Sequence, residues 1–383
     1  MHVKGNIYIW IIELMIFFIM FFNMVSLFTA NRLFGKLAIV TSLILPCAGV
    51  LIKSIHQSKI KIKKQGIGIY ILCFVTISTM SSIINYKGEY PVYNAVIVLT
   101  LFASVYYCLT SKMTKNKQQI SNFFFGVEII LATIYLIYRF NAIDQYLFEM
   151  NTIYFIILLL PLILMNENKF VVLFGTLLIA FLTVISFKRT AFLMILVALV
   201  VYIILLLNKK SISLNKKVTW GIIILSLSLI VYYLYVPFAT KSEITVFERL
   251  GSIAEDGGSG RNIIYSRVIN EIKEFTIIEW LLGRGYNAVA ITTKIGTSAH
   301  NDFLEIMFDY GIIALFVYCS LIIRICNITA KMFKKNYDLA CIGVVAIILF
   351  MFMSSFSHLI IYPTYILYFI VFWSVLLYEN YAY

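Results

Sequence analysis

The chain has 383 residues, of which 62% are hydrophobic and 13% are charged. A soluble domain has about 45–50% apolar and about 25% charged residues, so lipid must surround most of this chain. The net charge of +13 does not indicate a nucleic-acid partner, because the basic residues stand in short clusters between apolar runs. That pattern is typical of the cytoplasmic loops of membrane proteins.

Twelve apolar stretches approach or reach the roughly 20 residues that a membrane-spanning helix needs. The first of them is too long for a signal-peptide core, so we expect it to remain as a helix. The sequence therefore predicts an all-α polytopic membrane protein that forms one membrane domain over residues 1–383. The twelve predicted spans are 6–29, 34–52, 67–84, 91–110, 123–140, 150–165, 170–187, 190–207, 219–238, 306–326, 338–358 and 362–379.

Charge asymmetry indicates how these spans are oriented. An even number of spans places both termini on one side, and the cytoplasm is the side that collects Lys and Arg. With the termini inside, 18 of the 31 basic residues lie in cytoplasmic segments and six lie in short outer segments. We therefore expect a multi-pass protein of the cytoplasmic membrane with both termini in the cytoplasm.

The segment 239–302 is a long connection between the ninth and tenth spans, on the predicted outer face. Connections of this length are usually functional or disordered, and the apolar periodicity in this one predicts an amphipathic helix after the cap candidate Ser259. A second short run from Ile277 to Leu282 stops at Gly283, as at a C-terminal cap. We interpret the loop as helices lying over the mouth of the bundle, with a plain surface helix as the alternative. The periodic apolar positions are Ile263, Ile264, Val268, Ile269, Ile272 and Phe275.

Two basic motifs on the outer face predict a site for a lipid diphosphate. Lys188 and Arg189 stand at a tight outer turn, where positive charge opposes the orientation rule unless something there attracts it. The glycine-rich turn 257–261 ends in Arg261, and such a turn lets backbone amides and a guanidinium approach an anion. Arginine binds phosphate oxygens through a planar fork that keeps its charge. The chain has no Asp-x-Asp motif, so we expect neither a metal nor another cofactor.

His300 is the candidate acid–base residue. It stands in the polar stretch 298–302, where Asn301 or Asp302 can cap the next helix with Glu305 as the third-residue partner. The positive end of that helix and the nearby arginines favour a neutral imidazole, which a general base requires. A structural histidine is the alternative. His358 ends the eleventh predicted span on the same side.

Several acidic residues have two interpretations. Asp302, Glu305 and Asp309 are spaced to share one face of a helix that leads into the tenth span. They either bind sugar hydroxyls or neutralise arginines, and we prefer the second. The arginines in question are Arg249, Arg261 and Arg284.

Ionisable groups and cysteines also occur within the predicted spans. Glu13 and Glu128 lie inside spans, where ionisable groups cost free energy and are often functional. The sequence does not identify a partner for either of them. All six cysteines fall within spans, which predicts no disulfide framework and no metal-binding spacing.

Four motifs together resemble the O-antigen polymerase and O-antigen ligase superfamily. They are 259–261, 280–285, the Lys188–Arg189 turn, and His300–Asn301 with Gly311 after nine intervening residues. The resemblance implies a C-type glycosyltransferase fold in a bacterial inner membrane, acting on undecaprenyl-diphosphate-linked oligosaccharide. By position, Arg189 and Arg261 hold the diphosphate with Lys188 beside them, and His300 deprotonates the acceptor hydroxyl. The supporting or acceptor-binding residues implied are Asn301, Asp302, Glu305, Arg284 and Arg249.

The sequence favours a polymerase of lipid-linked repeat units for O-antigen, capsule or exopolysaccharide. One alternative is a ligase that moves polymer to lipid A or another surface acceptor. Another is a polysaccharide flippase or transporter. Expected partners are the lipid-linked oligosaccharide, the bilayer, and a flippase and chain-length regulator of the same pathway, with no nucleic acid.

Overall fold

A computed structural model of the chain describes residues 67–85, 117–141, 150–209, 260–293, 296–359 and 363–382, with single positions within 14–40 and at 236 and 251. The regular structure of these residues is helical, and no strand occurs among them. The predicted spans 6–29, 34–52, 91–110 and 219–238 lie outside the described residues, apart from those single positions. The residues Glu13, Cys47, Cys108, Arg249 and Ser259 also lie outside them.

The longer described helices lie where the sequence predicts apolar spans, and three short helices follow one another in the loop before residue 302. A 3-10 turn, Met150–Ile153, precedes α3. The helices are α1 (Gly68–Ile84), α2 (Lys117–Asn141), α3 (Tyr154–Ile157), α4 (Leu160–Leu164), α5 (Lys169–Ile185), α6 (Arg189–Leu207), α7 (Arg261–Lys273), α8 (Ile277–Leu282), α9 (Ala288–Thr292), α10 (Asp302–Lys335), α11 (Tyr337–Phe356) and α12 (Pro363–Ala382).

The predicted sixth and tenth spans differ from the helices found. The sixth, 150–165, consists of short helical pieces, and Pro161 stands in the first turn of α4, a place where its missing N–H is no loss. The tenth, predicted at 306–326, belongs to a helix of 34 residues. It begins earlier because the side chain of Asn301 caps it by accepting from the amides of Phe303 and Leu304.

Four described helices are long and apolar enough to cross a membrane, and they are α2, α6, α10 and α11. The other apolar helices, namely α1, α3 with α4, α5 and the middle of α12, are shorter. These apolar helices agree with a membrane protein. The predicted total of twelve spans includes stretches outside the described residues, so it stays a prediction.

Helix α10 is the centre of the described bundle. It packs against α1, α11 and α12, and α11 packs in turn against α6. A second, smaller core joins the loop helices to the first turns of α10. The residues of this smaller core are Val268, Ile272, Phe275, Ala288, Val289, Ala299, Met307 and Phe308.

The amphipathic helix predicted in the loop is α7, but its buried face is narrower than predicted. Val268 and Ile272 of α7 and the following Phe275 are buried, whereas Ile263 and Ile269 are exposed. The buried positions follow a spacing of three or four residues, and an immediate neighbour of such a position points about 100° away from it. The N-cap of α7 is Gly260, with a φ of 75°, and not Ser259. Gly283 ends α8 as predicted.

The loop crosses α10 at a kink, which we call the backbone crossing. The helix is interrupted at Gly311, whose φ is 78° and ψ is −178°. The carbonyls of Phe308 and Asp309 accept instead from the amides of Arg284 and Gly285, at 2.9 and 2.8 Å. A Cβ at Gly283 would stand 2.3 Å from the carbonyl carbon of Asp309, and a Cβ at Gly311 would stand 2.3 Å from the oxygen of Leu281. Only glycine fits at these two positions.

Helix α1 supports the backbone crossing from the other side. The hydroxyl of Ser81 donates to the carbonyl of Asp309 at 2.8 Å. The side-chain amide of Asn85 donates to the carbonyl of Gly283 at 3.0 Å. The loop is therefore attached to two apolar helices through main-chain groups.

Candidate functional site

His300 ends the loop immediately before α10, in a backbone conformation that the surrounding residues hold in place. Its φ is 55°, a value that L-residues rarely adopt. The amide of the preceding Ala299 donates to the carboxylate of Glu305 at 2.5 Å. The carbonyl of His300 accepts from the hydroxyl of Tyr265 at 3.4 Å. These contacts fix the direction in which the imidazole leaves the main chain.

The imidazole of His358 lies against that of His300. Their ring centroids are 4.4 Å apart, with an angle of 32° between the planes. The Nδ1 of His358 is hydrogen-bonded to the hydroxyl of Ser298 at 2.8 Å. The two histidines therefore form one pair, although 58 positions of the chain separate them.

The carboxylate of Asp302 fixes the turn that carries His358. It accepts from the amide of Leu359 at 3.0 Å and from the hydroxyl of Ser354 at 2.8 Å. Asn301 also reaches this turn, because its side-chain amide donates to the carbonyl of Ser355 at 3.2 Å. Asp302 and Asn301 thus hold the end of α11 against the start of α10.

Two cationic side chains act on the histidine pair. Lys188 is the N-cap residue of α6, and Arg261 is the first residue of α7. Burial is the main cause that lowers the pKa of His300 to about 4, and the charges of Arg261 and Lys188 lower it further. Burial is also the main cause that lowers the pKa of His358 to about 3. The charges of His300, Lys188 and Arg261 lower it further, in that order. We call Lys188, Arg261, His300 and His358 the cationic cluster.

Tyr154 forms one wall of the cationic cluster. The Nζ of Lys188 lies 5.9 Å from the centroid of its ring, and Arg261 interacts electrostatically with its phenol group. Tyr154 is buried, so it closes this side of the cluster to water.

Arg189 lies next to the cationic cluster, in the first turn of α6, and it is 7% exposed. The cations that act on the two imidazoles are Lys188 and Arg261. Lys188 therefore acts electrostatically on both imidazoles.

Arg139 holds the turn that presents Lys188. Its Nε donates to the carbonyl of Ile185 at 2.9 Å, and its guanidinium lies 4.5 Å from the ring centroid of Phe187. Phe187 has a φ of 56°, so the chain turns sharply just before Lys188. The sequence contained one signal for this role, namely an arginine at the end of the predicted span 123–140. Arg139 was counted there only as one of the six basic residues of the short outer segments.

The acidic residues of α10 bind main-chain amides. Glu305 accepts from Ala299, Asp302 accepts from Leu359, and Asp309 accepts from the amides of Asn287 and Val289 at 2.7 and 3.3 Å. They hold the loop and the turn after α11 around the cluster.

The expected neutralisation of Arg284 by these acids is wrong. Arg284 donates to Glu271 at 3.0 Å and to Glu279 at 2.8 Å, and its guanidinium lies over the ring of Phe275. It therefore joins α7 to α8 and is not a member of the cationic cluster. Arg249, the other supporting arginine, lies outside the described residues.

Other candidate groups lie apart from the cluster. Glu128 is fully buried in the middle of α2, and a Cβ at Gly175 of α5 would stand 2.7 Å from its carboxylate. Its oxygens have no hydrogen-bond partner among the described residues. Within those residues, no three His, Cys, Asp or Glu side chains come together as a metal site. The four cysteines within the described ranges form no disulfide with one another.

Residues 174–319 match the family model described as O-antigen ligase. This match supports membership of the O-antigen polymerase and O-antigen ligase superfamily. The resemblance seen in the motifs is thereby confirmed. The matched segment of the superfamily contains Lys188, Arg261 and His300, whereas His358 lies beyond its end. No curated protein matches the chain.

Spacing along the chain gave no sign that His358 would contact His300, that Ser298 would bond to His358, or that Lys188 would lie near the ring of Tyr154. Their contacts depend on how α11 and the short helix α3 pack against α10 and α6. A histidine at the outer end of a span was the only available signal for His358.

Proposed function

We propose that this chain is a glycosyltransferase that polymerises lipid-linked oligosaccharide repeat units at the outer face of the bacterial cytoplasmic membrane. The donor sugar is carried on undecaprenyl diphosphate, and the product belongs to an O-antigen, capsule or exopolysaccharide. The observation that carries the proposal is that Lys188 and Arg261, at the starts of α6 and α7, act electrostatically on His300, which stands just before α10. The superfamily match supports a polymerase or ligase activity of this kind.

The charge of the cationic cluster suits a diphosphate. Arg261 has no ion-pair partner among the residues that the structure describes, and the acids of α10 have main-chain amides as partners. Positive charge therefore remains for the diphosphate of the donor. A guanidinium and an ammonium offset the charge that develops on a leaving diphosphate, and they do so best in a site with little water.

The lowered pKa of His300 suits a general base. The imidazole is neutral at physiological pH, so it can take the proton from the hydroxyl of the acceptor sugar. The acceptor oxygen attacks the anomeric carbon of the donor, and the bond from that carbon to the diphosphate oxygen breaks. The electron pair stays on the diphosphate lipid, beside Lys188 and Arg261. His300 then gives its proton to the leaving diphosphate or to water.

We propose supporting roles for the neighbouring residues. Asn301, Asp302 and Glu305 position the two histidines through the contacts described above. Arg189 lies adjacent to Lys188, where it adds positive charge near the diphosphate. The proposed partners remain the lipid-linked oligosaccharide, the bilayer, and a flippase and chain-length regulator of the pathway.

A ligase that transfers finished polymer to lipid A is the second candidate, because the matching family model is described as O-antigen ligase. The flippase alternative is weaker. Secondary transporters bind their substrates near the bilayer midplane, whereas the cationic cluster lies at helix ends.

Purified protein in nanodiscs separates the two candidates. With lipid-linked repeat units as the sole substrate, a polymerase forms a ladder of products, and a ligase forms none until a second acceptor such as lipid A is added. His300→Ala is expected to abolish either product, and Thr297→Ala, in the exposed part of the same loop, is the matched control. If His300→Ala retains the turnover of Thr297→Ala, the proposed chemistry is wrong.

A further inference from the structure

Helix α8 carries an apolar surface that no described residue covers. None of its six residues is buried. Ile277 is 80% exposed and Ile278 is 61% exposed, and Trp280 and Leu281 are also exposed. We call these four residues the α8 patch. Large apolar side chains exposed together in this way usually mark a binding surface.

The α8 patch is continuous with the apolar surfaces of two membrane helices. At the backbone crossing, Leu281 lies against Gly311 of α10, and the next residues of α10, Ile312 and Ile313, are exposed. Phe316, about one turn further along, is 72% exposed. Helix α8 also packs against α1, whose exposed apolar residues at this end are Met80, Ile83 and Ile84.

Helix geometry gives the depth of the α8 patch. From Gly311 to the basic residues Lys334 and Lys335 at the far end, α10 rises about 36 Å at 1.5 Å per residue. The hydrocarbon core of a bilayer is about 30 Å thick. When Lys334 and Lys335 lie at one surface of the membrane, the backbone crossing therefore lies at the opposite boundary between hydrocarbon and headgroups. Helix α8 lies at that same level.

The polar groups of α8 do not oppose contact with lipid. Its one charged side chain, Glu279, pairs with Arg284 at 2.8 Å and accepts from the amide of Thr276. The hydroxyl of Thr276 in turn caps the amide of Glu279. Tryptophan is enriched at membrane boundaries, where Trp280 would lie. A short helix with paired polar groups and an outward apolar surface matches an interfacial helix.

We propose that the α8 patch binds the lipid leaflet on the side of His300, so that α8 is inserted at the boundary between headgroups and acyl chains. The occupant is phospholipid, and the patch continues the lipid-facing surfaces of α1 and α10. In this arrangement the backbone crossing and the leaflet hold α8 from opposite sides. The proposal does not depend on the reaction that the cationic cluster performs.

Site-specific fluorescence tests the proposal in the full chain. Ile278→Cys carries a bimane label, and two matched positions carry the same label. Ser266→Cys lies on the exposed side of α7 as the control for water, and Phe316→Cys lies on α10 as the control for lipid. The labelled chains are reconstituted in vesicles containing brominated phosphatidylcholine and, separately, titrated with iodide. The fluorescence of the parent chain, treated with the same label, is subtracted from that of each variant.

We expect the label at 278 to be quenched by brominated lipid to within about twofold of the label at 316, and by iodide several-fold less than the label at 266. Quenching at 278 that follows the pattern of 266 would overturn the proposal. Quenching by neither agent would also overturn it, because another protein surface would then cover the patch. If Ile278→Cys does not give the same size-exclusion profile as the parent, Ile277→Cys replaces it.

Discussion

The imidazoles of His300 and His358 lie in contact, with Lys188 and Arg261 beside them. Protonating either ring places a further positive charge in a buried and already cationic site, which is why the pKa of both is lowered. The pair is therefore neutral over the physiological range.

The pH dependence of turnover follows from the pKa of His300, which is lowered to about 4. A general base is active when it is unprotonated, so turnover should be constant from about pH 8 to about pH 5 and fall only below that. The measurement is the initial rate of product formation in nanodiscs across this range. A half-maximal rate near the ordinary histidine pKa of about 6.5 would contradict the buried position of His300.

His358 is expected to contribute less to turnover than His300. Loss of a general base costs on the order of 10²–10⁴-fold, so His300→Gln should lower kcat by that factor. His358→Gln removes the ring contact but keeps a polar side chain near Ser298, and we expect a smaller loss. Comparing kcat and the donor KM of the two variants checks this. An equal loss of kcat in the two variants would contradict the assignment of His300 alone as the base.

At the scale of elements, the backbone crossing depends on two glycines. A methyl group at Gly283 or Gly311 would overlap main-chain atoms of the other segment. Gly283→Ala and Gly311→Ala should each lower the free energy of unfolding by about 1–3 kcal/mol, the usual cost of overpacking. Thermal unfolding in detergent measures this.

Gly126→Ala is the matched control for the glycine variants. Gly126 lies within α2 with open space around its Cα, so alanine should be neutral or stabilise by about 0.5–1 kcal/mol. If Gly311→Ala unfolds at the same temperature as this control, the close approach of the loop to α10 is wrong.

Arg284 and Arg261 are expected to respond differently to the same substitution. Arg284 binds two carboxylates through separate nitrogens, which a lysine cannot reproduce, so Arg284→Lys should loosen the contact between α7 and α8. Arg261→Lys should raise the donor KM, because an ammonium lacks the planar fork. Thermal unfolding and donor KM, measured for both variants, separate the two roles. A rise in donor KM for Arg284→Lys equal to that for Arg261→Lys would show that Arg284 contributes to donor binding.

Apolar periodicity predicted the positions of most described helices, because the length of an apolar run reports directly on the membrane. It failed at the start of α10, where the helix continues into a polar stretch that hydropathy does not register. Capping chemistry correctly predicted Gly283 and, as one of two candidates, Asn301. The expected partner role of Glu305 in that cap is wrong, because Glu305 accepts from the amide of Ala299. The motifs predicted a cationic site with His300. In the structure the charges of Arg261 and Lys188 act on His300, and the role of these residues stays a prediction.

The partners of the acidic residues escaped prediction for a physical reason. Asp302, Glu305 and Asp309 accept from main-chain amides, and an amide has no sequence signature. Opposite charge along the chain favoured arginine partners instead. The contact of His358 with His300 also depends on tertiary packing, which spacing alone does not encode.

At the scale of the whole molecule, α10 should place its two ends on opposite sides of the membrane. After the interruption at Gly311, α10 extends about 36 Å to Lys335, which exceeds the hydrocarbon core of about 30 Å. Thr297→Cys should react with a membrane-impermeant maleimide in intact spheroplasts, and Lys334→Cys only after permeabilisation, since both residues are exposed. Reaction of both in intact cells would show that α10 does not cross. The reverse pattern would refute an outer location for His300.

The hydrogen bond from Ser81 to Asp309 joins residues 228 positions apart, and it has a consequence for biosynthesis. A ribosome-bound chain that has inserted α1 must complete α10 before the loop can settle on both helices. It must then add α11 and the turn after it before the second imidazole arrives. Contacts over such sequence distances form slowly. The cationic cluster is therefore complete only after α11 and the turn after it have been synthesised, and a chain truncated before residue 358 lacks the second imidazole.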